Sequence, residues 1–209
     1  MARLLSVNVG RPQPVGLRRG RTVRSAIAKA PVAGRVRVEG VNVAGDDQAD
    51  RRVHGGPDKA VYAYAREDIA WWEGELGREL LPGAFGENLT VEGVDVSGAV
   101  IGERWRIGTA ELEVCQPRFP CFKLGLRFGD PGMLRRFTLA ERPGAYLRIV
   151  GEGDIGAGDA IESFDRPGHG VTIALVARAV MIDANLLAHA ASAPALPASL
   201  AGWMRERAA

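Results

Sequence analysis

Apolar positions in this 209-residue chain alternate with polar ones over short stretches more often than they recur at helical spacing. Arg35-Val36-Arg37-Val38-Glu39 alternates strictly, as do Glu103-Arg104-Trp105-Arg106-Ile107 and Glu111-Leu112-Glu113-Val114. Each run turns one face to a core and the other to water, the pattern of a half-buried strand. Further strands are expected at 59–64, 88–92, 145–150 and 159–163, and a short alternating run covers Leu4 to Val9. Glycine and proline punctuate the first 165 residues at short intervals, which favours a barrel or a folded sheet. Two helices interrupt this framework. Ile69, Trp72, Leu76 and Leu80 fall at helical spacing over 66–81, ahead of Pro82-Gly83. Asp130, as a cap before Pro131, opens a second helix that runs to Glu141.

After Arg166-Pro167-Gly168-His169-Gly170 the chain turns rich in alanine and leucine. This reads as a linker into a small helical tail and divides the chain into 1–165 and 166–209. Thr172 is placed to cap a helix through Met181, Asp183 a second through Ala191, and a third is expected over Ser199 to Arg207. Composition leaves Val171 to Val176 open between helix and strand. The fold class is mainly β (α+β), with a few surface helices.

Apolar residues make up 46% and charged ones 25%, the profile of a soluble chain with its own core. The 27 basic and 25 acidic side chains leave a formal charge of +2, too balanced for a protein that coats a phosphate backbone, so no nucleic-acid partner is expected. No run reaches the ~20 apolar residues of a membrane span. Met1-Ala2-Arg3 leads straight into Leu4 with no signal core, so a cytoplasmic location without a membrane partner is expected. With two cysteines, Cys115 and Cys121, a four-cysteine zinc site is excluded within one chain.

Reactive groups gather in four glycine-marked segments: 45–59, 83–90, 115–123 and, more weakly, 129–144. In the first, His54-Gly55-Gly56 precedes Lys59. Paired glycines let amide N–H groups converge on an anion, with His54 and Lys59 beside it; the alternative is an ordinary glycine turn with His54 on a backbone carbonyl. In the second, Gly86-Glu87-Asn88 either orients a ligand or closes a turn by side-chain bonds to the backbone. The third reads Cys115-Gln116-Pro117-Arg118-Phe119-Pro120-Cys121-Phe122-Lys123. Two prolines stiffen it, and Arg118 and Lys123 flank Cys121, where cations favour the nucleophilic, metal-binding thiolate. Against this stands Cys121 as a small buried apolar residue.

Alternation sets Cys115 with Glu111 and Glu113, opposite Leu112 and Val114, so the pattern does not secure its burial. A Cys115–Cys121 disulfide runs against a reducing cytosol. The chain has neither a dinucleotide fingerprint nor a phosphate loop. Its three histidines, His54, His169 and His189, lie far apart without an HExxH motif, which argues against a zinc hydrolase. A Cys121–His54 nucleophile pair remains as a metal-free thiol enzyme. Arg11, Arg18, Arg19, Arg21 and Arg24 form a basic stretch broken by glycine and proline, read as a solvated loop that guides an acidic ligand or partner.

Taken in order, GDDQADRRVHGGPDKAVYAY, GAFGENLT and QPRFPCFKL resemble the MOSC family, named for the C-terminal domain of molybdenum-cofactor sulfurases. The resemblance spans residues 20–163, with supporting pieces at Ser25 to Lys29 and Gly151 to Asp159, and the tail is similar to the three-helix extension of the YiiM-like branch. It implies a MOSC-type β-barrel, a helix rather than a strand after Val171, and a bound pyranopterin molybdenum cofactor. Cys121 matches the position that ligates the metal, and a thiolate suits a metal also held by dithiolene sulfurs. His54, Gly55, Gly56, Lys59 and Arg118 would face the cofactor's phosphate and pterin edges, with Gly86, Glu87, Asn88, Gln116 and Lys123 nearby.

The implied activity is reduction of N-hydroxylated bases or related compounds, with protons from water or His54. Electrons would come from a separate reductase, since the chain carries no flavin, haem or iron–sulfur motif. Two alternatives stand beside it: a non-enzymatic carrier of the cofactor or of sulfur on Cys121, and the thiol enzyme above. Cys115 is a bystander in the first reading. The tail's apolar faces suit either closure on the same chain or a homodimer.

Overall fold

The computed structural model describes residues 1–47 and 55–209. Its centre is an eight-stranded sheet in the order β13-β9-β10-β11-β7-β8-β1-β4. In chain order these are β1 (Arg3–Val9), β4 (Ala30–Pro31), β7 (Val61–Ala65), β8 (Leu89–Glu92), β9 (Arg104–Ile107), β10 (Ala110–Pro117), β11 (Ala145–Gly151) and β13 (Ile161–Phe164). Neighbouring pairs are antiparallel except β7 and β8, which the crossover helix α1 (Arg66–Leu76) joins in parallel. The sheet curls, and the segment entering β13 meets β1 at the bridge Arg3–Ala160 and through the Gly158 N–H on Leu4 O, short of a paired strand. The expected closed barrel is therefore not formed as a continuous ladder. A three-stranded sheet of β12 (Gly153–Gly156), β5 (Arg35–Glu39) and β6 (Asn42–Val43) flanks it.

Several expected elements change at their ends or in kind. Helix α1 stops at Leu76 because Gly77 takes the left-handed conformation at φ 63° and its N–H returns to Glu73 O. The helix expected from Asp130 begins instead at Met133 (α3, Met133–Ala140). Asp130 spends its carboxylate on the Gly132 N–H and its carbonyl on the Met133 N–H, closing a turn before the helix. The arginine-rich stretch is no loop: β2 (Gln13–Arg18) and β3 (Arg21–Ser25) form a hairpin. Arg19 at φ 50° and Gly20 at φ 73° supply the two positive φ values of a tight hairpin turn.

The tail is helical, as the resemblance implied. Thr172 caps α4 (Ile173–Met181), its hydroxyl accepting the Leu175 N–H at 3.2 Å. Asp183 caps the short turn that enters α5 (Leu187–Ala190), and α6 (Ala198–Ala208) follows. Val176, Leu187, Leu196 and Met204 join Trp105, Leu112 and Leu147 of the strands in one buried cluster, so these faces pack on their own chain. A second cluster, of Tyr62, Tyr64, Trp72, Phe85, Leu124 and Phe137, lies beside the cleft described next.

Candidate active site

A cleft opens where the end of β10 meets the loop before β8 and the segment after β3. Among its lining residues are Ser25, Lys29, Asp46, Lys59, Tyr62, Asn88, Arg118, Cys121, Lys123 and Tyr146. Cys121 is half-buried, and its extended backbone enters α2 (Phe122–Phe128) as the N-cap, without a side-chain capping bond. Alternating Phe122, Leu124, Leu126 and Phe128 imitate a strand, which hides this helix from a reading by periodicity. Lys123, one residue into α2, also lines the cleft.

Arg118 is buried at 7% exposure. It donates to Phe85 O, and its guanidinium carbon lies 5.0 Å from the Tyr62 ring centroid and 5.8 Å from that of Phe137. None of its ion-pair distances to a carboxylate of the described residues falls within 4.0 Å, in contrast to Arg104, Arg106, Arg142 and Arg148. A buried cation held by a carbonyl and aromatic faces keeps its charge available for an anion in the cleft.

Also in the lining, Lys29 pairs with Asp46, both side chains nearly inaccessible. Burial pulls the Lys29 ammonium below its ordinary range, against the opposing pull of Asp46. Asp46 is fixed in turn by the Gly10 N–H at 2.7 Å and by Asn88 Nδ2 at 2.9 Å. Asn88 Oδ1 accepts the Tyr62 N–H at 3.1 Å, tying this wall to β7.

The other expected site residues fall as follows. Glu87 is fully buried and accepts from Gly83 N–H, Phe85 N–H and Thr90 Oγ1, so it closes the turn rather than facing the cleft. Burial holds its carboxyl above the ordinary value, with those hydrogen bonds acting the other way. Gly86, at φ 78°, lies in the cleft wall against Ile27, where a Cβ would stand 2.9 Å from Ile27 Cγ1. Gln116 donates to Asp58 O at 2.9 Å, behind the cleft. Gly56, at φ 95°, opens the turn Pro57–Lys59, and Lys59 reaches the cleft lining. Gly55 precedes it, and His54 lies outside the described residues. Lys29, Asp46, Tyr62 and Tyr146 were not singled out from sequence, because nothing local marks a residue that tertiary folding brings to a cleft.

Cys115 lies at 0% exposure. A bulge in the β10–β11 pairing between Val114 and Gln116 breaks the alternation, so Val114 and Cys115 are both buried. Its Sγ sits 3.0 Å from Asp58 O, and burial pushes the thiol up to about 12. Both cysteines are free thiols. Iodoacetamide on the native protein at neutral pH is therefore expected to modify Cys121 and spare Cys115. Peptide mass spectrometry would check this, and native labelling of Cys115 would contradict its burial.

The sequence pattern of the MOSC domain matches residues 50–162. The chain is 38% identical over 184 residues to YflK of Bacillus subtilis, covering 88% of this chain and 83% of that one. A protein called Reductase from Gibberella moniliformis is 34% identical over 198 residues; the match covers 91% of this chain but 35% of that longer protein. The crystal structure of YiiM from Geobacillus stearothermophilus superposes with a TM-score of 0.81 at 31% identity, over the whole of both chains. No described helix is long and apolar enough to cross a membrane. Sequence pattern, fold and full-length superposition agree: the chain belongs to the MOSC domain family, in its YiiM-like branch with a C-terminal three-helix extension.

Proposed function

We propose that the cleft holds a pyranopterin molybdenum cofactor and that the protein reduces N-hydroxylated bases or related compounds. The observation that carries the reading is the pairing of a half-buried thiol, Cys121, with a buried guanidinium, Arg118, that no carboxylate of the described residues neutralises. The donor set fits the group. Among the described residues no three His, Cys, Asp or Glu side chains gather to hold a metal ion. A metal that brings further ligands of its own, as a dithiolene cofactor does, would need only the soft thiolate of Cys121 to complete the set.

When bound, the cofactor supplies the two-electron chemistry, including acceptance of the substrate oxygen. The chain's own residues supply place and charge. Arg118, with Lys59 and Lys123 along the lining, attracts the anionic phosphate and pterin edges. Lys29 is held in the lining by Asp46, whose position Asn88 and Gly10 fix. Tyr62 and Tyr146 also line the cleft, with burial holding both phenols above their ordinary values and so in the neutral form.

The test is the molybdenum-to-protein ratio of the chain purified from a host that makes the cofactor, combined with oxidation of reduced viologen on adding an N-hydroxylated purine. A ratio near one with substrate-dependent oxidation is expected. Stoichiometric metal without turnover would move the protein to the carrier class, and turnover in molybdenum-free protein would move it to thiol catalysis.

A further inference from the structure

The first 38 residues contain no Asp or Glu. Most surface arginines elsewhere are paired, as in Arg35 with Asp159, Arg106 with Glu162 and Arg166 with Glu103. Arg18, Arg19 and Arg21, at the tip of the β2–β3 hairpin, are exposed and have no ion-pair partner among the described residues. Beside them Leu17 stands 68% exposed. An apolar residue ringed by arginines matches the centre of protein interfaces, where arginine is enriched. A single leucine is too little to hold a membrane surface, and the Phe122 ring against the tip is engaged by the Arg18 guanidinium rather than left for nucleic-acid bases to stack on.

The hairpin is joined to the cleft at both ends. The Arg18 guanidinium lies 3.9 Å from the centroid of the Phe122 ring, next in sequence to Cys121. Strand β3 ends at Ser25, which together with Ala26 and Ile27 forms part of the cleft lining.

We propose that this hairpin is the docking surface for an acidic redox protein that delivers electrons to the Cys121 cleft. The inference rests on the reductase reading above, which needs electrons from outside the chain. Cleaving the N–O bond of one N-hydroxylated base consumes two electrons and two protons and releases the N–H product and water. A donor flavin hydroquinone is oxidised to the quinone in the same turnover. Carboxylates around that donor's flavin would meet Arg19 and Arg21, and an apolar patch would cover Leu17.

The experiment compares the holoprotein with its Arg19→Glu/Arg21→Glu variant, leaving Arg18 on Phe122 untouched. Reduced flavodoxin, a small acidic flavoprotein, is one donor and reduced viologen the other. At low ionic strength the variant is expected to lose about tenfold or more in kcat/KM for flavodoxin, the scale of electrostatic steering, with the viologen-driven rate unchanged. Salt is expected to slow the native protein with flavodoxin more than the variant. Calorimetric titration with oxidised flavodoxin reads docking without turnover, and Leu17→Ser is expected to weaken it. Equal flavodoxin affinity in native protein and charge variant overturns the proposal, as does preferential binding of duplex DNA or anionic vesicles at these arginines. A missing viologen rate in native protein alongside arginine-dependent flavodoxin binding would instead sink the reductase reading and leave the docking surface standing.

Discussion

Cys121→Ala is expected to lower the molybdenum-to-protein ratio by at least about tenfold, because losing even an outer-shell partner typically costs 10–100-fold in metal affinity. The side chain contributes little to the fold. It is half-buried, makes no capping bond to α2, and lies outside both buried clusters. With both proteins free of cofactor, the melting temperature should stay within about 2 °C of the native value, as for a substitution worth less than ~0.5 kcal/mol. Cys115→Ser provides the contrast. It sets a hydroxyl in a site at 0% exposure, so stability falls while metal content holds. Metal analysis on matched preparations reads both, and a Cys121→Ala protein that keeps its molybdenum would remove the thiol from the ligand set.

The second large effect is expected at Trp72. It is fully buried, stacks on Phe137 at 6.2 Å with ring planes 9° apart, and meets Phe85 at 5.7 Å. Its Nε1–H donates to the Tyr64 hydroxyl at 2.9 Å. Trp72→Ala removes that packing and leaves a cavity, while the Tyr64 hydroxyl keeps its bond to Arg142 O, a loss of about 3–5 kcal/mol. For a chain of this length that lowers the melting temperature by about 10 °C. Phe137 touches Trp72 on one side and lies 5.8 Å from the Arg118 guanidinium on the other. The variant should therefore also lose anion affinity in the cleft, and denaturant midpoints with phosphate titrations on the folded fraction would measure the two effects. An unchanged midpoint would show that the neighbouring rings collapse into the space.

Strands with strict alternation were legible in the sequence because one buried face leaves a period-two trace: Arg35–Glu39 and Arg104–Ile107 lie where the pattern puts them. Where backbone irregularity intervenes, the trace fails. The bulge after Val114 buried Cys115 against its pattern, and the strand-like rhythm of Phe122 to Phe128 concealed a helix. The hairpin of β2 and β3 escaped notice because it exposes most of both strands, leaving no apolar face to find.

The chemistry followed the same division. Arg118, Cys121 and Lys123 were visible as a dense local run, and the cleft gathers all three. Lys29 and Asp46 fall in separate marked segments, and they become a pair only through contacts made across the fold.

The place of β1 in the sheet bears on how the chain is made. Strand β1 meets β4 at Asn8 and Val9, but the rest of it finds its ladder partner in β8 and its other neighbour at Ala160. Until those segments are made, most of β1 therefore has nothing to join. The curled sheet can be completed only once β13 has emerged, and helices α4 to α6 must still arrive to cover Trp105 and Leu112. Contacts so distant in sequence make for slow assembly and leave apolar edges open in the interval. A ribosome stalled before residue 160 would therefore hold a sticky, unfinished sheet, and the chain's yield in a cell should depend on chaperones that guard the nascent strands.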